Sequence, residues 1–230
     1  MNLTGDCSKE QSFVLYNMLP LERKQSVKHT TNKEIAKKRL YTGAFLQYVL
    51  SKETGIPVSE LRYVYNEWGK PELEQVKKEL DKKPVHFNLS HSGDYVGLAV
   101  SDHMVGVDVE HKCRNSLSLA KRCFCEEEYR DIMQENTETA RNLRFLEYWT
   151  MKEAYIKCVG EGLRIPLNSF LIKRGMNGIS FVEDQDMWLG TFFLNAGYCV
   201  SLCSKYEQLV CQGSNKKEII PISLEQIVHE

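Results

Sequence analysis

The strongest constraint on the fold of this chain is the run V-G-V-D-V-E at residues 105–110. Side chains of a β-strand alternate between its two faces, so Val107 and its neighbouring valines share one face while Asp108 and Glu110 share the other. Two adjacent carboxylates repel each other unless a cation or a shared proton compensates. Taken alone, the run is typical of a half-solvated sheet edge. For the run by itself this explanation is favoured; the alternative is a hard cation, for which Mg²⁺ fits best if a phosphate supplies further ligands.

Length and composition are those of an ordinary folded protein. The chain has 230 residues, 42% of them hydrophobic and 27% charged, with a net charge of −1. There is no global basic field for nucleic acid and no apolar run of membrane-spanning length. The first residues show no signal peptide, and the eight cysteines form no CxxC pair. We therefore expect a cytoplasmic protein with reduced thiols and no membrane or nucleic-acid partner.

Hydrophobic periodicity and turn residues predict an α+β chain whose two halves have a similar order. The first half should contain helices at residues 8–19 and 32–51, a strand at 61–65 and a hairpin at 85–100. After the acidic strand, the second half should contain helices at 117–124, 126–135 and 139–159, then strands at 170–173, 179–182, 191–194 and 199–203. Without a Gly/Ser-rich linker between them, we expect residues 1–103 and 104–230 to pack against each other as a pseudo-duplicated pair.

A third acid, Glu153, lies four residues before Lys157 on the predicted helix at 139–159, so both side chains lie on one helix face. A solvated ion pair would be worth little. This helix, however, is apolar over most of its circumference, which predicts that it is largely buried. A buried Glu and Lys need partners. A cation shared with Asp108 and Glu110 would suit the carboxylate, and an anionic substrate would suit the ammonium group.

Five motifs, in their order along the chain, resemble those of the Sfp-type 4′-phosphopantetheinyl transferase family. They are E-W-G-K-P at 67–71, F-N-L-S-H-S at 87–92, G-V-D-V-E at 106–110, F-C-E-E-E-Y at 124–129 and W-T-M-K-E-A-Y-I-K at 149–157. Each motif alone is weakly specific, but five in the right order are strongly specific. The resemblance covers roughly residues 20–202.

This resemblance implies transfer of 4′-phosphopantetheine from coenzyme A to a serine of an acyl or peptidyl carrier protein, with release of adenosine 3′,5′-bisphosphate. It also implies two similar α+β halves related by pseudo-two-fold symmetry, with coenzyme A at their interface. Mg²⁺ is the expected metal, although ligand type alone does not separate it from Mn²⁺. A pseudo-dimeric single chain favours a monomer.

The resemblance also assigns residues to roles. Asp108, Glu110 and Glu153 would hold the metal, and Glu153 would take the proton of the acceptor serine. Lys157 would stabilise the leaving group, with His91 as a third catalytic residue. The contacts to coenzyme A would come from Lys38, Arg39, Lys70, Ser90, His91 and Lys157.

Some assignments stay open. Lys152 would face phosphate or solvent, and Glu128 would be a second base candidate or a solvated acid at a helix start. Trp149 is expected in the core. Family members open with a β-strand, whereas this chain begins almost at its first helix, so we expect the edge strand of the first half to be missing or replaced.

Two other functions are compatible with parts of the pattern. A metal-dependent phosphohydrolase or nuclease also gathers acids around Mg²⁺, but it would hydrolyse its substrate without a protein acceptor. A binding module could hold coenzyme A or a carrier domain without turnover, but it would need no general base. For the transferase, we expect the carrier protein to dock near residues 113–132, where Lys121, Arg122 and Arg130 supply positive charge.

Overall fold

The computed structural model describes residues 1–74, 84–111, 116–175, 179–194, 197–207, 210 and 220–229. The N-terminal half contains α1 (Lys9–Met18), α2 (Leu21–Lys28), α3 (Lys33–Thr54), β1 (Tyr63–Tyr65), β2 (Pro71–Leu73), β3 (His86–Ser92) and β4 (Tyr95–Ser101). The C-terminal half contains β5 (Val105–Glu110), α4 (Ser116–Cys123), α5 (Glu126–Gln134), α6 (Glu138–Val159), β6 (Ile172–Arg174), β7 (Ile179–Val182), β8 (Trp188–Leu194), β9 (Tyr198–Ser204) and α7 (Leu224–Val228). The predicted α+β class is confirmed.

Each half is built on one long helix, and the two helices are delimited in the same way. Both α3 and α6 have 22 residues. The side chains of Asn32 and Thr137 accept hydrogen bonds from backbone N–H groups of the first turns of α3 and α6. Gly55 and Gly160 end these helices with φ of 71° and 86°, a left-handed conformation that favours glycine. Both helices were predicted from their periodicity.

The sheets of the two halves differ in size. In the N-terminal half β1 pairs with β2 and β3 pairs with β4, which gives two antiparallel two-stranded sheets. The C-terminal half has one antiparallel five-stranded sheet in the order β5-β9-β8-β7-β6. The halves therefore share their helical order more closely than their sheets, and the pseudo-two-fold axis stays a prediction.

The expected gap before α1 is filled by a three-residue segment. The backbone N–H of Leu3 donates to Asp94 O at 2.7 Å, and that of Val96 donates to Met1 O at 3.0 Å. Asn2 forms an antiparallel bridge with Tyr95. Three residues are too few to show the alternation of polar and apolar side chains from which a strand is predicted. The edge strand is thus replaced by the chain start, which lies against β4.

Among the described residues, two α-helices and one strand were not predicted: α2, α7 and β2. The helix α2 contains no buried residue, so it lacks the apolar periodicity that would identify it. Pro20 stands at the N-cap of α2. The strand β2 has only three residues, and α7 only five. Among the described residues, no helix is long and apolar enough to cross a membrane.

The helix α6 packs directly on β5, and Gly106 makes this close approach possible. A Cβ atom at Gly106 would collide with the backbone of Ala154 and Cys158 on α6. The valines of β5 face away from α6 and pack with Tyr198 and Val200. By alternation, the acidic face of β5 is the one turned towards α6. The predicted division of β5 into an apolar and an acidic face is therefore confirmed.

Candidate active site

The acidic strand β5 is joined to the N-terminal half by side chains of β3. The backbone N–H of Val107 donates to Asn88 Oδ1 at 2.9 Å. The N–H groups of Val109 and His111 donate to Ser90 Oγ at 3.3 Å and to Ser92 Oγ at 3.4 Å. We call Asn88, Ser90 and Ser92 the side-chain ladder. It satisfies alternate N–H groups of β5 where a neighbouring strand would otherwise pair, so β3 and β5 meet at a seam between the two halves.

Asp108 lies at the centre of this seam and is only 2% exposed. Its Oδ1 accepts from Ser90 Oγ at 2.9 Å and from Lys157 Nζ at 2.5 Å. Its Oδ2 is the one buried side-chain oxygen or nitrogen in the described part of the chain that has no hydrogen-bond partner. Because burial of an unpartnered carboxylate oxygen is unfavourable, this atom is the clearest candidate in the seam for contact with a ligand.

Glu110 and Glu153 are the neighbouring carboxylates. Glu110 Oε2 accepts from Ser92 Oγ at 2.8 Å. Burial raises the pKa of Glu110, and the charge of Asp108 raises it further. Burial likewise raises the pKa of Glu153, where Asp108 and Glu110 add to the effect and Lys157 opposes it. The structure therefore places the three predicted acids within electrostatic range of one another.

The donor set suits a hard cation, although the side chains are not arranged as a finished metal cage. Within the described residues, no group of three or more His, Cys, Asp or Glu side chains is placed to hold a metal. Lys157 is bonded to Oδ1 of Asp108, while Oδ2 is left to an outside partner. Carboxylate oxygens are the ligands that Mg²⁺ prefers, together with water and phosphate oxygens. The chemistry of these residues is thus compatible with a divalent cation whose other ligands are not supplied by this set of carboxylates.

Ser90 and Lys157 form one hydrogen-bonded group with Asp108. Lys157 Nζ donates to Ser90 Oγ at 2.8 Å as well as to Asp108. The side chain of Lys157 is 29% exposed, against 3% for Asp108, so it extends from the buried carboxylate towards solvent. The hydroxyl of Ser90 has a single proton, and it is donated to Asp108. The structure therefore directs Ser90 towards the acid rather than towards an outside phosphate.

The other predicted coenzyme A contacts have different surroundings. His91 alternates with Ser90 along β3 and is exposed. Lys38 Nζ donates to Gly93 O at 2.7 Å and to Asp94 Oδ1 at 2.9 Å, in the turn that joins β3 to β4. Lys38 and His91 are thus both held near the end of the hairpin that carries the ladder.

Arg39 and Lys70 bind protein groups. Arg39 donates to Ser26 Oγ at 3.0 Å and to Thr30 Oγ1 at 2.7 Å. Lys70 Nζ donates to Cys158 O at 3.0 Å, one residue beyond Lys157. Burial lowers the pKa of Lys70. An ammonium group at the last carbonyls of α6 complements the helix dipole, a role that the sequence motif did not reveal.

Comparison with known proteins identifies the family. Residues 6–103 match the model of the 4′-phosphopantetheinyl transferase N-terminal domain, and residues 104–207 match that of the 4′-phosphopantetheinyl transferase superfamily. The chain belongs to the 4′-phosphopantetheinyl transferase superfamily. The resemblance seen in the five motifs is therefore confirmed, and the protein is a transferase of this kind.

Several relatives span most of the chain. The 4′-phosphopantetheinyl transferase Sfp of Bacillus subtilis (strain 168) is 29% identical over 86% of this chain and 88% of its own length. The 4′-phosphopantetheinyl transferase gsp of Aneurinibacillus migulanus is 29% identical over 86% of this chain and 81% of its own length. A more partial match is the L-aminoadipate-semialdehyde dehydrogenase-phosphopantetheinyl transferase of Xenopus laevis, 30% identical over 62% of this chain and 49% of its own length.

The structure contradicts both predicted surroundings of Lys152, phosphate or solvent, and both predicted roles of Glu128, second base or solvated acid. Their side chains are fully buried and form an ion pair, with Lys152 Nζ 2.8 Å from Glu128 Oε1. Lys152 also donates to Leu167 O and Phe170 O, at 2.7 Å each. Burial lowers the pKa of Lys152, while Glu128 acts in the opposite direction. Lys152 therefore faces neither phosphate nor solvent.

Glu128 ties the start of α5 to β6. Its carboxylate accepts the backbone N–H of Cys125 at 3.0 Å and that of Ile172 at 2.9 Å. It is neither a solvated acid nor placed as a base for the seam. One signal was available in the sequence: Lys152 and Glu153 are successive on a helix and point about 100° apart, so they could not both face the same site. Trp149 is half-buried and packs against Phe124 and Phe145, so it lies at the edge of the core.

Replacing Glu128 by Gln should lower the free energy of unfolding by about 3–5 kcal/mol, because Lys152 would then be a buried charge without its counter-ion. Glu126→Gln is the matched control. It removes the exposed ion pair with Arg130 on the same helix and should change stability by less than about 1 kcal/mol. Urea unfolding followed by circular dichroism measures both. Equal effects of the two substitutions would contradict the importance of the buried pair.

Glu153→Gln should stabilise the metal-free protein near neutral pH. The raised pKa of Glu153 means that the folded state binds the proton more tightly than the unfolded state. Its contribution to stability is therefore present below the unfolded pKa of about 4.3 and is lost as the pH rises through the folded pKa. Glutamine does not ionise, so the Glu153→Gln variant does not lose stability in this way as the pH rises.

Urea unfolding in EDTA at pH 4 and pH 7 should show the gain for Glu153→Gln at pH 7 only. Glu138→Gln, at the exposed first turn of the same helix, should give no such pH-dependent gain. A pH-independent effect of Glu153→Gln would show that burial of the charged Glu153 carboxylate, with Asp108 nearby, does not destabilise the fold.

Proposed function

We propose that the seam between the halves catalyses the transfer of 4′-phosphopantetheine from coenzyme A to a serine of an acyl or peptidyl carrier protein. The observation that carries this proposal is the buried Asp108, held by Ser90 and Lys157 with one oxygen left for an outside ligand. Glu110 and Glu153 lie close enough to Asp108 for its charge to raise their pKa values. This arrangement suits the chemistry of the family to which the chain belongs.

The reaction exchanges one P–O bond for another. The serine oxygen of the carrier bonds to the phosphorus that bears pantetheine, and the bond from this phosphorus to the bridging oxygen of the pyrophosphate breaks. Adenosine 3′,5′-bisphosphate leaves with the bridging oxygen. The serine proton goes to a base, for which we propose Glu153. Its raised pKa makes its carboxylate a stronger proton acceptor than an exposed one.

Lys157 is proposed to hold the leaving group. An ammonium group has three N–H donors, and two of those on Lys157 are used by Ser90 and Asp108. The third is available to a phosphate oxygen, on a side chain that reaches partly into solvent. Because Asp108 and Ser90 fix its position in advance, Lys157 can neutralise developing charge without a large rearrangement.

Asp108, Glu110 and Glu153 are the residues proposed to hold Mg²⁺, with Asp108 Oδ2 as the ligand already free. When bound, the metal would neutralise charge on the pyrophosphate. Mn²⁺ takes the same kind of ligand and is a reasonable substitute. The protein groups around the site have the complementary task of excluding water and holding the carboxylates in place, which the ladder and α6 perform.

We propose that the N-terminal half, residues 1–103, binds the phosphates of coenzyme A through Lys38, Arg39, Lys70 and His91, whereas the predicted phosphate contact of Ser90 is replaced by its hydrogen bond to Asp108. Exposure favours His91 for direct contact. Lys38, Arg39 and Lys70 already bind protein groups, so their contribution to coenzyme A binding would require these bonds to be shared or exchanged. We further propose that residues 104–230 hold the metal and dock the carrier, and that the protein acts as a cytoplasmic monomer.

Intact-protein mass spectrometry tests the reaction. An apo carrier protein incubated with this protein, coenzyme A and Mg²⁺ should gain one phosphopantetheine, and EDTA should prevent the gain. Glu153→Gln should slow the transfer by about 100-fold or more, because it removes the general base. Glu138→Gln, at the exposed start of the same helix, should transfer at the wild-type rate. Coenzyme A cleaved while every carrier stays unmodified would contradict the transferase and favour a hydrolase.

The carrier-docking prediction concerns the surface of α4 and α5. Lys121, Arg122 and Arg130 are exposed, whereas Phe124 and Ile132 in the same region are buried in the core. Residues 113–115 of the predicted region lie outside the described residues. We propose that the exposed basic side chains of α4 face an acidic surface of the carrier.

Charge reversal at Lys121 and Arg122 to Glu should raise the KM for the carrier about 10-fold, because like charges would then meet at the interface. The KM for coenzyme A should stay unchanged. Lys9→Glu with Lys33→Glu is a control of equal charge change on exposed positions of the N-terminal half. If the two double variants have the same KM for the carrier, the docking surface lies elsewhere.

A further inference from the structure

We propose that Ser92 is a positioning residue that orients Glu110 for metal binding. The proposal rests on the function proposed above, since it assumes that Glu110 is a metal ligand. Ser92 is not among the residues that the sequence motifs assigned to coenzyme A or to the metal. Its two hydrogen bonds give it a role of its own.

Two hydrogen bonds, one accepted and one donated, fix the orientation of the Ser92 hydroxyl. It accepts the backbone N–H of His111 at 3.4 Å and donates to Glu110 Oε2 at 2.8 Å. A serine hydroxyl has only one proton. Because the backbone N–H of β5 occupies a lone pair, the proton is directed to the carboxylate. One oxygen of Glu110 is thereby held, and the other can be offered to a cation.

The same arrangement is repeated two residues earlier. Ser90 Oγ accepts the backbone N–H of Val109 and donates to Asp108 Oδ1. Each acid of β5 thus has its own serine on β3, and that serine is anchored to the N–H of the residue after the acid. The repeat of two on both strands gives Ser92 and Ser90 the same geometry towards their acids.

Asn88, the third residue of the side-chain ladder, differs from the two serines because the nearby residue of β5 is not an acid. Asn88 Oδ1 accepts the N–H of Val107, which follows Gly106 rather than an acid. Asn88 therefore performs the strand-joining part of the role alone. Serine stands opposite each carboxylate, and an amide stands opposite the glycine. This difference separates the positioning role of the serines from the structural role of the ladder as a whole.

Loss of the Ser92 hydroxyl should leave the Glu110 side chain free to adopt other rotamers. Ordering a flexible carboxylate at the moment of metal binding lowers affinity, and removal of such outer hydrogen bonds typically weakens metal binding 10–100-fold. Substitution of Asn88 removes a bond between the strands but no bond to a carboxylate. Asn88→Ala is therefore a matched control on the same strand.

The experiment is a Mn²⁺ titration of the whole protein in the presence of saturating coenzyme A, with free Mn²⁺ measured by electron paramagnetic resonance. Ser92→Ala should raise the Kd for Mn²⁺ about 10-fold or more. Ser92→Thr, which keeps the hydroxyl, should restore most of the affinity. Asn88→Ala should change the Kd less than 3-fold, even where urea unfolding shows that it destabilises the protein as much as Ser92→Ala. If Ser92→Ala does not fold, Ser92→Cys, which keeps the size but donates only weakly, replaces it.

Carrier modification adds a second readout. At saturating Mn²⁺, the transfer rate of Ser92→Ala should recover towards the wild-type value, because the substitution weakens metal binding and not the chemistry. Equal Mn²⁺ affinity of Ser92→Ala and wild type, or equal losses for Ser92→Ala and Asn88→Ala, would overturn the positioning role alone. A wild-type protein that binds no Mn²⁺ with coenzyme A would overturn the proposed metal site together with this inference.

Discussion

The arrangement of the site depends on the burial of one carboxylate, that of Asp108, between the two halves of the chain. A buried carboxylate is unfavourable unless it is hydrogen-bonded and compensated by charge. Ser90 from the N-terminal half and Lys157 from α6 supply both, and each reaches Asp108 only if β3, β5 and α6 are correctly placed. The same requirement aligns the halves, leaves Oδ2 free, and brings Glu110 and Glu153 nearby.

The helix α6 serves the core and the site through different faces. Lys152 points into the C-terminal half, where its ion pair with Glu128 joins α6 to the start of α5 and to β6. Glu153 and Lys157, four residues apart, point to the seam. The buried pair therefore fixes the rotation of the helix about its axis, and with it the direction of the Glu153 and Lys157 side chains. Gly106 sets the distance, because only a residue without Cβ lets α6 approach β5 so closely.

The sequence predicted what depends on local pattern. Alternation in residues 105–110 predicted the acidic face of β5, and helical periodicity predicted α3 and α6. What it did not predict depends on contacts distant in sequence. Lys152 and Lys70 are charged residues whose partners, Glu128 and the C-terminus of α6, belong to other elements. The pairing of Met1–Leu3 with β4 is too short for any pattern, and α2 has no buried face to reveal it.

The central claim is that Asp108 Oδ2 is kept free at the seam for a divalent cation. Anomalous diffraction from crystals grown with coenzyme A and Mn²⁺ tests it most directly. The account predicts a Mn²⁺ peak within coordination distance of Asp108 Oδ2 and of Glu110, with the pyrophosphate beside it and Lys157 nearby. A peak bound elsewhere on the protein, or coenzyme A bound at the seam while Oδ2 stays without a metal, would contradict the account.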